Sequence, residues 1–270
     1  MTYMCVFNSL GHERVFQAMV EYCMDLNLRE DNHKSDALLG KTALQLAVQV
    51  GHYATARILV NSGARIQTID EAISLLSGAC QKGYFAIVSL LLEVSGVDIN
   101  VELSDGYTLF MVASAKGQTE VVRLLLGLEA NVYAMSWKTE TALHRASKNG
   151  HDQVIRLLIG YGAGCEAEGS EGCKPLHKAL YSDHIDTYKL LLDLGAKPID
   201  VKAAGSKRAM FRALNIGSYE AVKVLSDIGF DVNTNTKRKR GGASLLHAAL
   251  KAKKSQSRIE LVGARIDPKD

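Results

Sequence analysis

The stretch "TALHRASKNGHDQVIRLLIGYGA", residues 141–163, decides the fold because versions of it recur along the chain. Three of its residues, Ala146, Gly150 and Gly162, return in phase about every 33 residues. The equivalents are Ala47, Ala79, Ala113, Ala179, Ala213 and Ala249 for the alanine, Gly51, Gly83, Gly117 and Gly217 for the first glycine, and Gly63, Gly96, Gly195, Gly229 and Gly263 for the second. Self-similarity at a fixed period of this length indicates an array of stacked repeats.

Each repeat has the same internal order. Thr141 to Gly150 leaves room for two helical turns, and the glycine can end that helix because glycine adopts the left-handed cap without a penalty. The segment "DQVIRLLIGYG" then places its Val and Leu residues on one face of a second helix, which Gly162 closes. Extended pieces such as "VDIN" or "ANVY" follow. The predicted repeat is therefore helix, turn, helix and extended hairpin.

Four blocks carry a family resemblance: "GKTALQLA", "TALHRA", "KPLHKA" and "SLLHAA". Together with Gly51-His52 and Gly150-His151, they resemble the Gly-x-Thr-Pro-Leu-His-x-Ala and Gly-His signatures of the ankyrin repeat. The resemblance covers roughly residues 37–266. It implies an all-α fold, an ankyrin-repeat α-solenoid of stacked helix-turn-helix units with short β-hairpin or loop connections.

The phase of the landmarks predicts seven repeats, preceded at residues 1–36 by a degenerate N-terminal capping repeat. The repeats are 37–68, 69–102, 103–135, 136–168, 169–202, 203–238 and 239–270. The second has "SLLSGA" in place of the Thr-x-Leu-His block, and the last has lost two residues from its second helix. Asp183 replaces an inter-helix glycine. Glu129 replaces a closing glycine, at a cost of about 1 kcal/mol if it is left-handed.

Composition excludes several classes of protein. The chain is 47% apolar and 23% charged with a net charge of +3, which is typical of a folded protein and not of a disordered one. No stretch approaches the ~18 uncharged apolar residues of a membrane-spanning helix, and "MTYMCVFNSLG" does not resemble a secretory signal. The five cysteines are odd in number and form no Cys-x-x-Cys pair, so we expect reduced thiols. We expect a cytoplasmic monomer without membrane contact, and a nuclear location is the alternative.

Gly40-Lys41-Thr42 matches the last three residues of the phosphate-binding-loop motif. Ser35 stands where the first glycine of that motif belongs, and the preceding "LNLREDNHKSD" is too polar for a buried strand. The repeat phase gives a better interpretation, in which this Gly-x-Thr begins a repeat.

Repeat positions also account for the residues that catalysis or metal binding would use. Of eight histidines, His144, His177 and His247 fill the Leu-His position, whereas His12, His52, His151 and His184 fill the Gly-His position or its equivalent. The resemblance implies hydrogen bonds within and between hairpins for the first set, and a place at the start of the second helix for the other. Cys165 and Cys173 lack further metal ligands, so we interpret them as small apolar fillers. The sequence therefore predicts no enzyme, no catalytic residue, no cofactor and no metal.

The run Lys237, Arg238, Lys239 and Arg240 lies where a repeat is longer than usual, and Lys251, Lys253 and Lys254 follow it. Such a run is a candidate nuclear import signal, and a solvated hairpin insertion is the alternative. Without aromatic residues beside it to stack on bases, it gives no support for nucleic-acid binding.

The resemblance implies that another protein binds at the hairpin tips and the concave face of the first helices. Positions carried over by alignment are Tyr107, Met135, Trp137, Lys138, Glu140, Lys148, Asn149, Glu171 and Tyr181. Trp137, the single tryptophan, falls on a hairpin tip and is the predicted anchor, unless it only shields the neighbouring hairpin. Nearby carboxylates predict a partner that carries an apolar side chain and basic groups. The predicted function is a non-catalytic protein-recognition scaffold. The alternative is a substrate-recruiting or targeting segment of a larger enzyme or ubiquitin-ligase assembly.

Overall fold

The computed structural model describes residues 42–200 and 219–229, which form eleven α-helices and no β-strand. The helices are α1 Ala43–Val50, α2 Tyr53–Asn61, α3 Ile69–Lys82, α4 Phe85–Ser95, α5 Leu109–Ala115, α6 Thr119–Gly127, α7 Ala142–Asn149, α8 Asp152–Gly160, α9 Pro175–Tyr181, α10 Ile185–Asp193 and α11 Tyr219–Asp227. The predicted cap at 1–36, the last repeat and the basic run at 237–240 lie outside the described residues. The predicted all-α fold is confirmed.

Helices pack in sequential pairs and then in stacks. They fall into two compact units: one reaches Ser104 and includes Thr108–Ala113 and Gln118–Ala130, and the other takes Asp105–Tyr107, Ser114–Gly117 and the residues from Asn131 onward. In the first unit α1 packs on α2 and α3 on α4, while α1 contacts α3 and α2 contacts α4. In the second unit α7 packs on α8 and α9 on α10, and α7 contacts α9. First helices therefore stack on first helices of the next repeat.

Thr42 and Thr141 begin the first helices α1 and α7, as the Thr-x-Leu-His pattern predicts. Thr42 Oγ1 accepts a hydrogen bond from the Gln45 backbone N–H (3.2 Å), and Gln45 Oε1 accepts one from the Thr42 N–H (2.9 Å). Thr141 and His144 form the same reciprocal pair at α7. These bonds satisfy two of the N–H groups that the start of a helix leaves without a partner. Thr42 therefore begins a helix in the way that the repeat phase predicts.

The inter-helix glycines are left-handed and covered by a side chain of the following repeat. Gly117 and Gly150 both have φ of 71°. A Cβ atom built on Gly117 would lie 2.6 Å from Nδ1 of His151, and one on Gly150 would lie 2.7 Å from Nδ1 of His184. His151 is held in place because its Nε2 lies 3.0 Å from the Ala115 carbonyl oxygen. Both backbone conformation and space therefore require glycine.

Of the four left-handed non-glycine residues that the structure describes, two stand at positions where the repeat pattern has glycine. Glu129 has φ of 62° and Asp183 has φ of 65°. Glu129 is therefore left-handed, which is the condition under which the sequence analysis expects a cost of about 1 kcal/mol. Asp183 stands where the other repeats have the inter-helix glycine, and Asp adopts this conformation more readily than most residues.

The repeat at 69–102 departs from the predicted order. Its first helix, α3, begins at Ile69 and runs for 14 residues, so a helix occupies the place of the expected hairpin. Thr68 Oγ1 caps this helix by accepting from the Glu71 N–H (3.1 Å), and Asp70 and Glu71 place negative charge at its positive end. The extension follows from this early cap, and the segment between Gly63 and Gly78 contains no glycine that would interrupt the helix.

The core is a row of small and branched apolar residues at repeat-equivalent positions. Ala47, Ala79, Ala113, Ala146 and Ala179 are all buried, which lets neighbouring helices approach closely. The second helices contribute the apolar faces that their periodicity predicts; in α8 these are Val154, Ile155 and Leu158. Among the described residues, no helix is long and apolar enough to cross a membrane.

We expect Gly117→Ala to lower the free energy of unfolding by about 2–3 kcal/mol, because it adds left-handed strain and displaces the His151 ring. Gly195 is the matched control, since it is also left-handed (φ 96°) but a Cβ there would meet nothing within 4 Å. Gly195→Ala should therefore cost only about 1 kcal/mol. Urea denaturation measures both, and equal losses would contradict a steric role for the ring.

Candidate protein-recognition surface

Three successive hairpin tips are linked by hydrogen bonds in the second compact unit. The Trp137 backbone N–H donates to the Asp105 carbonyl oxygen (3.0 Å), and the Ser170 hydroxyl donates to the Lys138 carbonyl oxygen. Within the middle hairpin, Ser136 donates its N–H to the Glu140 carbonyl oxygen (3.0 Å). The tips are thus held in register, so side chains on them form a defined surface.

Trp137 both covers its neighbour and stays accessible. A Cβ atom built on Gly106 would lie 2.7 Å from Trp137 Nε1, so the indole edge lies directly against that glycine. The residue is nevertheless 73% exposed, and Met135 on the same hairpin is 58% exposed. Trp137 and Met135 thus form an exposed apolar pair on one hairpin, and tryptophan is among the residues that most often anchor protein interfaces. The shielding contact and the accessible surface therefore coexist.

Glu140 does not point toward solvent, contrary to the exposure that the sequence predicts. The residue is only 8% exposed, and its Oε1 accepts a short hydrogen bond from Lys178 Nζ. Its Oε2 lies 3.5 Å from Nη1 of Arg145. An unpaired carboxylate would be costly to bury, so the two cations determine its inward orientation.

Electrostatics keep this cluster ionised. Burial alone would raise the pKa of the Glu140 carboxyl, but the hydrogen bond and charge of Lys178 and the charge of Arg145 outweigh it and hold the pKa below its usual value. Burial would lower the pKa of Lys178, but the bond to Glu140 outweighs it and the net shift is upward. At neutral pH the cluster therefore holds two cations and one carboxylate.

Arg145 and Lys178 are the residues that sequence reasoning missed. Both occupy the variable position of the Leu-His-x-Ala block, in "TALHRA" and "KPLHKA". The guanidinium carbon of Arg145 lies 4.8 Å from the ring centroid of Tyr107, a distance at which cation and ring attract each other. Cations at the same repeat position in two consecutive repeats are a signal that the sequence alone offers.

The other predicted contact residues differ in how far they are exposed. Lys138 is exposed, Tyr107 and Lys148 are half-buried, and exposed Asn149 donates from Nδ2 to the carbonyl oxygens of Ala115 (2.9 Å) and Arg145 (3.0 Å).

Tyr181 is buried, with 8% exposure, so its predicted exposure is wrong. It lies beside Lys178, whose Nζ is 5.4 Å from its ring centroid. Glu171 lies in the short 3₁₀ turn Ser170–Gly172. Whether any of the predicted residues binds a partner stays a prediction.

His144 attaches α7 to the next hairpin. Its Nδ1 accepts from the Thr141 backbone N–H (3.2 Å), so in the neutral ring Nε2 carries the hydrogen and donates to the Cys173 carbonyl oxygen at 2.9 Å. Burial lowers the pKa of His144 to about 4. His177 Nδ1 likewise accepts from the Lys174 N–H (2.9 Å), and burial lowers its pKa to about 4. The predicted hairpin-binding role of these histidines is confirmed.

The other histidines that the structure describes, and two of the cysteines, occupy the positions that the repeat pattern predicts. His52, His151 and His184 each stand at the start of a second helix, as predicted. Cys173 is buried and Cys165 half-buried, and burial raises the pKa of the Cys165 thiol. Residues 42–200 and 219–229 contain no group of three or more His, Cys, Asp or Glu side chains that could hold a metal ion.

Comparison with known proteins agrees with this architecture. A profile described as "Ankyrin repeats (3 copies)" matches residues 75–168 and 130–203, and one described as "Ankyrin repeat" matches residues 39–71. The crystal structure of the human ASB11 ankyrin repeat domain is similar, with a TM-score of 0.65 and 25% identity, over 84% of this chain and 100% of that one.

Two curated proteins are similar to parts of this chain. Cortactin-binding protein 2 of Mus musculus is 31% identical over 120 residues, which are 44% of this chain and 7% of that protein. The probable E3 ubiquitin-protein ligase XBOS33 of Oryza sativa subsp. japonica is 38% identical over 105 residues, which are 37% of this chain and 20% of that protein. The matched region is thus a small part of the length of either relative.

Stacked helix pairs, covered left-handed turns and linked hairpins define a repeat protein whose class generally serves as a non-catalytic scaffold for protein–protein interaction. The chain belongs to the ankyrin repeat family.

We expect Glu140→Gln to lower the free energy of unfolding by about 2–4 kcal/mol, because it leaves the buried Lys178 charge without its carboxylate. Glu120, which pairs with Arg123 at 3.7 Å on the exposed face of α6, is the matched control. Glu120→Gln should cost less than about 0.5 kcal/mol. Urea denaturation of both variants checks this, and similar small losses would mean that the Glu140 cluster contributes no more than a surface pair.

The free energy of unfolding should fall as the pH is lowered from 6.5, the ordinary pKa of histidine, to 4. In this range the two histidines bind protons in the unfolded chain, whereas His144 and His177 stay neutral in the folded chain because they are buried. For His144 alone the loss approaches roughly 2–3 kcal/mol at the lower end. The free energy of unfolding measured along a pH series should show a shallower slope for His144→Gln, with part of the slope retained through His177. Identical slopes would contradict a neutral buried His144.

Proposed function

We propose that the chain is a non-catalytic recognition module that binds another protein through its hairpin tips and the exposed face of its first helices. The observation that carries this proposal is Trp137, which is 73% exposed on a hairpin held by the Trp137–Asp105 backbone bond. A rigidly placed aromatic side chain loses little entropy on binding and often contributes ~2 kcal/mol or more. Met135 beside it extends the apolar area.

A second proposal is that the chain recruits a substrate for a larger enzyme or ubiquitin-ligase assembly. It is supported by the similarity to the probable E3 ubiquitin-protein ligase XBOS33, of which the match covers only 20%. The remaining length of that protein is sufficient for a catalytic domain outside the matched residues.

We also propose a cytoplasmic monomer, with the run at Lys237–Arg240 as a candidate nuclear import signal, on the strength of the sequence alone.

Trp137→Ala should abolish recovery of a specific partner from cell lysate, because it removes the largest accessible apolar side chain of the hairpin. The melting temperature should stay within a few degrees of the wild type, since the backbone bond to Asp105 does not need the indole. A quantitative pull-down followed by thermal melting measures both.

Tyr161→Ala is the matched control, since Tyr161 is also an exposed aromatic residue (51%) but stands at the end of α8, away from the hairpin tip. It should recover the partner in full. Recovery of the same proteins by Trp137→Ala and the wild type would show that the binding surface lies elsewhere.

A further inference from the structure

Charge on the first helices of the second compact unit is of one sign. The sequences of α7, "ALHRASKN", and α9, "PLHKALY", contain Arg145, Lys148 and Lys178 and no carboxylate. By contrast, the second helices α8 and α10 mix both signs, with Asp152 and Arg156 on the first of them. Lys178 is buried, so a partner that contacts the first helices meets the half-buried Arg145 and Lys148.

The buried carboxylate leaves this charge incompletely neutralised. Glu140 is shared between Lys178 and Arg145, so one positive charge remains in the cluster. The bond to Lys178 is the closer of the two, and Arg145 lies at 3.5 Å, beyond a good hydrogen-bond distance. The excess charge therefore resides on Arg145.

Arg145 also retains unused hydrogen-bonding capacity. Its side chain is 28% exposed, and the only carboxylate beside it among the described residues, Glu140, lies 3.5 Å from Nη1, so the accessible part of the guanidinium can still donate to a ligand. A guanidinium carries five N–H donors in a fixed fork that matches a carboxylate. Stacking against Tyr107 at 4.8 Å restricts the fork, so that less conformational entropy is lost when a carboxylate binds.

The cation and the aromatic anchor are adjacent. The indole of Trp137 lies against Gly106, and the guanidinium of Arg145 lies over Tyr107, the next residue of the same hairpin. Successive Cα atoms are about 3.8 Å apart, so one short segment could reach both sites. The two features together therefore favour an apolar and an acidic side chain a few residues apart.

We propose that this surface, formed by Tyr107, Trp137, Arg145 and Lys148, binds a linear acidic peptide segment of the partner. An Asp or Glu carboxylate of the peptide pairs with Arg145, and a neighbouring apolar side chain packs on Trp137. The inference rests on the proposed function and reverses the basic partner that the sequence predicts. The sequence-based prediction counted carboxylates of the hairpins, whereas the groups that carry this proposal, Arg145 and Lys148, lie on the first helix α7, which has no carboxylate.

The test starts from short random linear peptides displayed on phage and selected on the full chain. Enriched peptides should carry Asp or Glu near an aromatic or aliphatic residue. A synthetic copy of the best peptide is then compared with its Asn or Gln counterpart by fluorescence polarisation. The acidic form should bind about tenfold more tightly, and its affinity should fall as salt is raised.

Arg145→Gln should remove most of that tenfold preference, whereas Arg156→Gln should keep it. Arg156 is a matched control because it is an exposed arginine on the second helix of the same repeat, so the same charge is lost elsewhere. Thermal melting confirms that both variants are folded. Enrichment of basic or uncharged peptides, an unchanged preference in Arg145→Gln, or no enrichment at all would overturn the proposal.

The outcomes separate this inference from the proposed function. Peptides that need Trp137 but show no acidic preference would leave the recognition module in place and overturn the acidic ligand. Peptides that need Arg145 and tolerate Trp137→Ala would support the acidic ligand and remove the aromatic anchor. The lysate pull-down with Trp137→Ala decides the recognition module independently of any peptide.

Discussion

Where a glycine forms the turn between the two helices of a repeat, there is no room for a side chain, because a side chain of the next repeat fills that space. At Gly150 the His184 ring covers the backbone, and at Gly51 the Tyr84 ring does so. Each glycine must also be left-handed to end its helix. Each of these glycines thus ends a helix and leaves space for a ring of the neighbouring repeat, which is why the glycines recur in phase. The hairpins are positioned only once this stacking is in place.

His144 links the helix stack to the hairpins. It is buried in the helix stack, and its Nε2–H reaches the Cys173 carbonyl oxygen on the hairpin of the following repeat. Because an imidazole has one donor and one acceptor when neutral, the bond to Thr141 fixes which nitrogen donates. The hairpin surface is therefore rigid for a local reason, and a rigid surface binds with a smaller loss of entropy.

Sequence reasoning could predict the helices, the capping residues and the exposure of Trp137, because each depends on residues a few positions apart in a repeating pattern. It did not predict the long α3, where an early cap at Thr68 removes the hairpin. Nor could it place Glu140, because that side chain depends on Lys178, 38 residues further along the chain. Charged residues are assigned to the surface by default, and only a partner contributed by the next repeat brings one inside.

In the proposed binding of an acidic peptide, the buried Glu140 cluster contributes more to recognition than to stability. Desolvating a carboxylate and an ammonium group costs about as much as their attraction returns, so an apolar pair could fill the same space at little loss. Charge, however, lets the cluster hold Lys178 tightly while Arg145 remains at 3.5 Å, stacked on Tyr107 and partly accessible. Apolar residues could not present an oriented cation beside Trp137. The arrangement is therefore consistent with a surface that selects its partner by charge as well as by shape.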